Sequence, residues 1–369
     1  MLIVRWTADD FVMSTPAPRV FRRRRVATAV LTAVTLLTAL GACGSSHPAK
    51  KAAPKTSASA TSSTPAPPPP PVVWPLTGVA TAAVAPRPAV AVKIENSIDA
   101  RPQTGLNSAD MVWEEVVEGG ITRYLAVFHS QLPPVIGPVR SVRPMDPSIA
   151  APLHGLFAFS GGQSPFPQQA AASGLQVLSM DAGAAGFYRS SARPAPHNVY
   201  ADLQKFLRQA NPGHQAPPPP QFVFAGPGEQ PTALVSGLPA AALHLTLSGL
   251  SHPVWTWSPT LGSWARSEGA QPAVGADRQQ LRATNVVVLR VDIVNTSYRD
   301  PANNPVPETK LIGNGQAVVA TGGRTVAATW AKASVGAVLT LVGADGAPIR
   351  LAPGSTWVEL VPNGSGSVG

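Results

Sequence analysis

Residues 110–146 carry the densest pattern in this chain, and they read DMVWEEVVEGGITRYLAVFHSQLPPVIGPVRSVRPMD. Two apolar runs flank Gly119 and Gly120, with acidic residues before the glycine pair and arginines after it. Charged residues make up only 13% of the whole chain, so a stretch this rich in both signs is unusual here. We therefore expect the folded part of the protein to be organised around this segment.

Two local structures are compatible with the segment. β-Branched and aromatic residues at 111–117 and 121–128, separated by the Gly-Gly pair, favour a β-hairpin. The alternative is a helix over residues 109–118 that ends at a glycine C-cap. In that helix Glu114 and Glu118 share one face, whereas the hairpin places Glu114 among apolar neighbours on one face of a strand. Both structures keep a carboxylate near the arginine that follows.

The N-terminus has the pattern of a lipoprotein signal peptide over residues 1–42. Arginines at 22–25 precede an apolar run of 15 residues at 26–40, which is short for a transmembrane helix of roughly 20 residues. The sequence Leu-Gly-Ala-Cys then closes the run at Cys43 and resembles the lipobox of bacterial lipoproteins. That resemblance implies a diacylglyceryl thioether on Cys43 and cleavage before it. We favour this interpretation over an uncleaved anchor, and expect the protein to be extracytoplasmic, held on the outer face of the cytoplasmic membrane by the lipid.

Composition excludes several classes of function. Of the net charge of +9, residues 1–42 hold +4 and residues 43–72 hold +3, which leaves +2 for the rest. Because the chain beyond residue 72 is nearly neutral, it lacks the positive charge needed to bind the phosphate backbone of a nucleic acid. We therefore expect no nucleic-acid partner. The single cysteine rules out an internal disulfide, and the scattered histidines give no metal-ligand spacing, so we expect no metal and no cofactor.

The remaining chain predicts a linker followed by two subdomains. Residues 43–73 are rich in Pro, Ser, Thr and Ala and predict a disordered, partly polyproline II spacer. Residues 74–216 predict an N-terminal mixed α/β subdomain, with strands at 89–94 and 155–162 and short helices at 168–174 and 201–210. Within it, Arg140 and Arg143 lie three residues apart, and paired guanidinium groups suit a carboxylate or phosphate.

Residues 217–362 predict a mainly antiparallel β subdomain, followed by a flexible tail at 363–369. The run NVVVLRVDIV at 285–294 is the strongest strand pattern in the chain, and residues 254–257 and 264–266 predict a hairpin. Five tryptophans of this subdomain suit either a carbohydrate-binding platform or the core of a small sheet, and we favour the core. They are Trp255, Trp257, Trp264, Trp330 and Trp357. The fold class we predict for the whole body is α+β.

Four short motifs occur in order along the first subdomain: RPQTGL at 101–106, EGGITR at 118–123, GPVRSVR at 137–143 and PHN at 196–198. Together they resemble the YerB-like lipoproteins of bacteria, a family built on a two-part domain of unknown function. The resemblance runs from about residue 74 to residue 362. It implies a lipid-anchored extracytoplasmic protein with two subdomains, and it brings no established activity, substrate or catalytic residues.

The charged and polar residues of these motifs are the candidate ligand-binding set. They are Arg123, Arg140, Arg143, Glu114, Glu118, His197 and Asn198. One hypothesis is that they bind an acidic group of a cell-wall or lipid-linked ligand. A second is an envelope hydrolase or transferase in which a glutamate and His197 exchange protons, although no motif of a nucleophile or metal site accompanies them.

A third hypothesis makes the charges structural or part of a protein-interaction module. The three arginines would then pair internally with Asp110, Glu114, Glu118 and Asp146, because buried charges persist only when paired. Internal pairing explains the charges most simply, and binding is favoured over catalysis among the ligand-related roles. An excess of arginines over carboxylates in an open cleft would indicate a ligand; full pairing without a cleft would indicate structure. The sequence identifies neither a reaction nor a protein partner.

Overall fold

A computed structural model describes residues 71–364 and 366–368. The predicted signal peptide, Cys43 and the predicted linker up to residue 70 lie outside the described residues. The body that begins at Pro71 forms one compact unit. In the part of the chain that is described, no helix combines the length and the apolar character needed to cross a membrane.

Short strands dominate the first half of the body. They are β1 (Val90–Glu95), β2 (Met111–Val116), β3 (Thr122–Phe128), β4 (Leu156–Phe159), β5 (Gln176–Ser179), β6 (Phe187–Arg189) and β7 (Val199–Ala201). The helices here are α1 (Asp146–Ala150), α2 (Phe166–Ala172) and α3 (Leu203–Leu207). Residues 111–128 form the predicted hairpin and not the alternative helix, and the left-handed backbone of Gly119 (φ 68°) makes its turn.

The second half of the body is a series of strands with one short helix. The strands up to residue 283 are β8 (Val223–Phe224), β9 (Leu238–Pro239), β10 (Ala242–Thr246), β11 (Pro253–Ser258), β12 (Ser263–Glu268), β13 (Gln271–Pro272) and β14 (Arg282–Ala283). The later ones are β15 (Asn285–Arg299), β16 (Pro305–Lys310), β17 (Gly313–Thr321), β18 (Arg324–Lys332), β19 (Thr340–Val342), β20 (Arg350–Leu351), β21 (Thr356–Pro362) and β22 (Ser367–Val368). The helix is α4 (Thr232–Ser236).

A large central sheet contains strands from both halves. Its order is β19-β18-β17-β15-β21-β2-β3-β1-β4-β5, and β16 and β9 pair at its sides. The late strand β21 lies between β15 and β2 and is parallel to both. Backbone hydrogen bonds between β2 and β21 therefore join the predicted N-terminal subdomain to the predicted C-terminal subdomain. A second sheet, ordered β13-β12-β11-β10-β22, is antiparallel.

Two apolar layers cover the two faces of the central sheet. One layer includes Met111 and Trp113 of β2 and residues of α1 and α2. The other includes Val112 and Val116 of β2 and the inward residues of the second sheet. Because side chains alternate along a strand, neighbouring residues of β2 belong to different layers.

The fold differs from the prediction in three respects. It is richer in strands than the α+β description implied, and its helices are only five to seven residues long. Part of the predicted flexible tail is a strand, because Val368 pairs with Leu245 of β10. The strand predicted at 285–294 continues to Arg299 because β16 supplies a hairpin partner beyond the core. The core interpretation of the tryptophans fits: Trp255, Trp264, Trp330 and Trp357 are buried.

Candidate functional site

The arginines of the GPVRSVR motif lie at the carboxyl ends of the parallel strands. Residues 139–142 run between the ends of β1 and β4: the backbone N–H of Arg140 donates to the carbonyl of Lys93 (2.9 Å), and Ser160 N–H donates to the carbonyl of Arg140 (3.0 Å). Strands β1, β4 and β5 are parallel, so their ends meet at this edge. The carboxyl edge of parallel strands is where open sheets commonly bind ligands.

Strand alternation places four charged side chains on the same face at this edge. Lys93 and Glu95 continue the face of Ala91 on β1, Glu115 continues that of Trp113, and Arg123 continues that of Leu125. Arg123 is the register partner of both Glu95 and Glu115. Together with five residues from the loops and α1 they form what we call the arginine network. Its members are Lys93, Glu95, Glu115, Glu118, Arg123, Arg140, Arg143, Asp146 and His197.

The innermost part of the arginine network is a triad of buried charges. The ammonium of Lys93 contacts Glu115 Oε1 and lies 2.7 Å from Asp146 Oδ1, and all three side chains are fully buried. Asp146 also accepts the backbone N–H of Arg143 (2.5 Å), which fixes the start of α1. Burial lowers the pKa of Lys93 to about 8, against the raising effect of Asp146.

Arg143 and Arg123 form the middle of the network. Arg143 makes a two-point contact with Glu118, from Nε to Oε1 (2.5 Å) and from Nη2 to Oε2 (2.7 Å). Arg123 donates from Nη1 to the carbonyl of Ser141 (3.0 Å) and makes no ion pair with a carboxylate among the described residues. Burial, together with the charge of Arg143, lowers the pKa of Arg123 to about 9. The Nε of Arg123 is buried and finds no hydrogen-bond acceptor within residues 71–364 and 366–368.

The outer end of the network surrounds the buried Glu95 and reaches solvent at Arg140 and His197. Glu95 Oε1 lies 2.9 Å from His197 Nδ1 and accepts a hydrogen bond from Ser97 Oγ (2.8 Å). It also forms an ion pair with Arg140 Nε at 3.2 Å, although the angle of that contact is outside the hydrogen-bond range. Arg140 Nη1 is 3.5 Å from the carbonyl of Pro196, and its Nη2 has no acceptor among the described residues. The side chain of Arg140 is 22% exposed, so this guanidinium is both held in place and accessible.

The charges of the arginine network balance, apart from His197. Four cations face four carboxylates: Lys93, Arg123, Arg140 and Arg143 against Glu95, Glu115, Glu118 and Asp146. Within the described part of the chain the three arginines do not share one open cleft, because Arg123 and Arg143 are only 5% and 9% exposed. Most of the network is therefore an internal structure, and ligand chemistry is confined to the end at Arg140 and His197.

Glu114 lies on the opposite face of the sheet from the arginine network. Its Oε2 accepts Arg266 Nη2 of β12 (2.8 Å) and its Oε1 accepts Thr122 Oγ1 (2.6 Å). The guanidinium of Arg266 also lies 5.5 Å from the ring centre of Tyr124 and bonds Glu268 Oε1 (2.6 Å). Glu114 therefore joins the second sheet to the central sheet and is not near the three arginines.

Glu359 of β21 is the register partner of Glu114 and shares its face. Trp255 Nε1 donates to Glu359 Oε1 at 2.8 Å, and the carboxyl group is fully buried. Burial, reinforced by the adjacent Glu114 charge, raises the pKa of Glu359 well above its ordinary value. Two carboxyl groups thus face each other beside one arginine.

Asn198 and Asp110 have structural partners outside the arginine network. Asn198 Oδ1 accepts Arg189 Nη1 (2.8 Å) and its amide donates to the carbonyl of Ser190 (3.2 Å), which closes the β6–β7 hairpin. Asp110 accepts the backbone N–H groups of His129 (2.6 Å) and Ser130 (2.9 Å). Of the predicted internal pairs, Arg143 with Glu118 is present.

The structure adds residues that the sequence analysis did not select. Lys93, Glu95 and Glu115 belong to the arginine network, and Arg266 and Glu359 to the opposite face. The period-two pattern of AVAVKIE contains a signal for Lys93 and Glu95, because it puts both on one face of a strand otherwise apolar. Arg266 and Glu359 meet Glu114 only through long-range strand pairing.

Comparisons with known proteins give two family matches and one relative. Residues 76–215 match the "Protein of unknown function (DUF3048) N-terminal domain", and residues 243–358 match the corresponding C-terminal domain. The protein named "Putative lipoprotein YerB" of Bacillus subtilis (strain 168) is 36% identical over 138 residues, which are 37% of this chain and 42% of that relative. The alignment thus spans less than half of the length of the relative.

One solved structure has a similar fold. The crystal structure of the YerB protein from Bacillus subtilis superimposes with a TM-score of 0.67 and 23% sequence identity. The superposition covers 81% of this chain and 99% of that chain. At this identity the likeness supports the fold alone.

Proposed function

This chain belongs to the DUF3048 family and carries both its N-terminal and its C-terminal domain of unknown function, and we propose that it is a lipid-anchored envelope protein that binds an anionic group at Arg140. The resemblance seen in the sequence motifs is confirmed by these matches. The proposed anchor is Cys43, on the outer face of the cytoplasmic membrane. The lipobox-like residues 40–43 and the name of the Bacillus relative support it.

The observation that carries the binding proposal is the state of the Arg140 guanidinium. Glu95 holds its Nε, while Nη2 lacks an acceptor in the described chain and the side chain reaches solvent. Arg123 and Arg143 lie behind it, and their mutual repulsion is part of what lowers the pKa of Arg123. An anion at Nη2 of Arg140 would accept charge-assisted hydrogen bonds and offset that repulsion.

The ligand class we propose is a phosphate or carboxylate of a cell-wall or lipid-linked component. The arginine side chain favours both groups because its planar fork donates two parallel hydrogen bonds. A single accessible arginine suits a terminal group and not a long polyanion.

The binding proposal is tested by a thermal-shift screen of the full chain in a mild non-ionic detergent. Phosphorylated and carboxylated envelope fragments are added at low and at physiological salt. A ligand that binds only the folded state raises the melting temperature. At a ligand concentration a hundredfold above Kd, the folded state gains about 2.7 kcal/mol of stability. Arg140→Ala is expected to lose this shift while melting normally without ligand.

Arg350→Ala is the matched control for that screen. Arg350 is exposed and faces Glu229 at 3.7 Å, so its loss removes one positive charge away from the arginine network. The control is expected to keep the ligand-induced shift. A shift that persists in Arg140→Ala, or the absence of a shift with every fragment, contradicts the proposal.

The proposed anchor has its own test. Cells that express the chain are labelled with radioactive palmitate, and membrane and soluble fractions are separated. Wild-type protein is expected to carry label and to sediment with membranes, whereas Cys43→Ser carries none. Equal labelling of both proteins contradicts lipid attachment at Cys43.

Acid–base catalysis is the second candidate function, supported by the 2.9 Å contact of His197 Nδ1 with Glu95 Oε1. A carboxylate at Nδ1 orients an imidazole so that Nε2 can accept a proton from water or a hydroxyl group. Its test is hydrolysis of p-nitrophenyl phosphate and p-nitrophenyl acetate across pH 5–9. A hydrolysis rate that falls in His197→Gln supports catalysis. Equal hydrolysis rates in the variant and the wild type contradict the catalytic hypothesis.

A further inference from the structure

A small, partly enclosed cavity lies beside α1, on the same face of the central sheet as the arginine network. Its wall contains Trp113 of β2, Ser148 of α1 and Lys332 at the end of β18. Most of the remaining wall is apolar and includes Ile149, Phe222, Leu311 and Leu339. The cavity shares no residue with the arginine network, so it is a separate candidate site.

Lys332 is the ionisable residue of this wall, and it is buried without a counter-ion. Only 4% of the residue is exposed, and its ammonium forms no ion pair with a carboxylate of the described chain. Burial lowers the pKa of Lys332 to about 8, and no neighbouring carboxylate opposes that effect. A buried charge is unfavourable unless an opposite charge pairs with it. The cavity therefore has a positive charge in its wall that residues 71–364 and 366–368 do not balance.

Two backbone carbonyls hold the Lys332 ammonium in place. It donates to the carbonyl oxygens of Val335 (3.0 Å) and Ala337, in the turn between β18 and β19. An ammonium has three N–H donors, so one N–H remains after these two bonds. Trp113 is a second donor in the same wall, and its indole Nε1 has no acceptor among the described residues. A wall with N–H donors and no carboxylate favours an occupant that carries negative charge.

The size of the cavity limits what that occupant is. There is room for about one water-sized group, so phosphate, sulfate and organic carboxylates are too large. One negative charge neutralises Lys332, whereas a doubly charged anion leaves a net negative charge among apolar side chains. A water molecule fits the space but leaves the ammonium without an opposite charge. A monatomic, singly charged anion meets both the size and the charge requirement.

We propose that this cavity binds one chloride ion, with Lys332 as its counter-ion. The ion accepts the third N–H of Lys332 and a hydrogen bond from the Ser148 hydroxyl, which is an available donor type. The wall residues come from α1, from β2 and from both ends of the β18–β19 turn, and only the folded chain brings them together. Chloride therefore binds the folded state and stabilises it. This site is independent of anion binding at Arg140.

The ³⁵Cl NMR linewidth of the full chain in a mild non-ionic detergent detects the ion directly. Chloride that exchanges between water and an asymmetric protein site relaxes faster, so its resonance broadens. We expect an excess linewidth that saturates with chloride and is displaced by bromide. Replacing sodium isethionate by sodium chloride at constant ionic strength keeps the screening of surface charges equal. That exchange should raise the melting temperature by about 2 °C or more at saturation.

Two variants remove the site in different ways. Lys332→Met removes the charge and keeps a long side chain, although it also leaves the carbonyls of Val335 and Ala337 without their donor. Ser148→Leu keeps Lys332 and places a larger, helix-favouring side chain in the cavity wall, so it decides the test if Lys332→Met does not fold. Both variants are expected to lose the excess linewidth and the chloride-dependent rise in melting temperature.

Two control variants are expected to keep both chloride effects. Lys310→Met removes a positive charge from a side chain that is 46% exposed and lies outside the cavity wall. Arg140→Ala removes the accessible arginine of the proposed function, so chloride bound at Arg140 is distinguished from chloride bound at Lys332.

The outcomes separate this inference from the proposed function. Chloride effects that are present in the wild type and both controls, and absent from the folded cavity variants, support the Lys332 site. No excess linewidth in the wild type means that the cavity takes water only, and it overturns the inference. Chloride effects that persist in Ser148→Leu and in folded Lys332→Met, or that disappear in Arg140→Ala, also overturn it. None of these results decides whether Arg140 binds an envelope anion.

Discussion

Replacing Lys93 by methionine tests the internal half of the arginine network. The substitution keeps a long apolar side chain and removes the ammonium that contacts Glu115 and Asp146. All three side chains are fully buried, so both carboxylates lose a charged partner without gaining water. Breaking a buried ion pair in this way costs about 3–5 kcal/mol. We expect a loss of that size in the free energy of unfolding at pH 7.

The pH dependence gives a second signature of the same residue. Burial holds the pKa of Lys93 at about 8, below the 10.5 of an unfolded lysine, so the unfolded state binds the proton more tightly. The free energy of unfolding of the wild-type protein therefore rises as the pH increases from about 8 to 10.5, by at most about 3 kcal/mol. Lys93→Met lacks this rise, and it still costs stability because methionine, unlike a neutral amine, donates no hydrogen bond to Glu115 or Asp146.

Urea denaturation of the full chain in detergent, followed by tryptophan fluorescence, measures both effects. Lys310→Met is the matched control, because Lys310 faces Glu308 at the same 2.7 Å separation but is 46% exposed. An exposed pair contributes about 0–1 kcal/mol, so the control should unfold almost as the wild type does. If Lys93→Met costs no more than Lys310→Met, the buried triad does not stabilise the fold as argued.

Three further changes probe the elements that position the site. Glu359→Gln keeps the hydrogen-bond acceptor for Trp255 and removes the titrating carboxyl group. Because the pKa of Glu359 is raised in the folded state, the free energy of unfolding of the wild type should fall as the pH rises above about 4.5. Chemical denaturation between pH 5 and 8 should show that the variant loses this dependence, whereas the exposed control Glu229→Gln keeps it. Gly137→Ala puts a Cβ 2.7 Å from the Tyr200 ring and 2.9 Å from a backbone oxygen at φ +153°, so its melting temperature should drop by several degrees, whereas Gly336→Ala, with open space around it, should not change. Asp110→Ala leaves two backbone N–H groups without their acceptor and should cost about 1–3 kcal/mol in urea denaturation; an unchanged midpoint would show that these hydrogen bonds are dispensable.

Local patterns in the sequence were enough to predict the hairpin and the arginines at its base. Gly-Gly between two β-branched runs predicted the turn, since Gly119 adopts a left-handed backbone that other residues avoid. The motifs grouped Arg140 and Arg143 with Arg123 as one candidate set, and the structure brings all three to one edge of the sheet. These features depend on neighbours along the chain, which a sequence displays directly.

Long-range pairing determined what the sequence did not reveal. Arg266 bonds Glu114 across 152 positions, and the pair exists because β12 packs on the face of β2 that carries Glu114. Glu359 meets Glu114 because β21 enters the sheet between β15 and β2. Neither strand order nor the stacking of two sheets is encoded in a local period. Glu114 was therefore grouped with the three arginines, although it lies on the opposite face of the sheet and bonds Arg266.

The central claim is that Arg140 binds an anion, and calorimetric titration of inorganic phosphate into the full chain tests it most directly. The titration is run on wild type and on Arg140→Ala, at low and at physiological salt. We predict a saturable heat in the wild type that weakens with salt and is absent from the variant. The same heat in both proteins, or none in either at low salt, contradicts the claim and leaves the arginine network as a purely structural element.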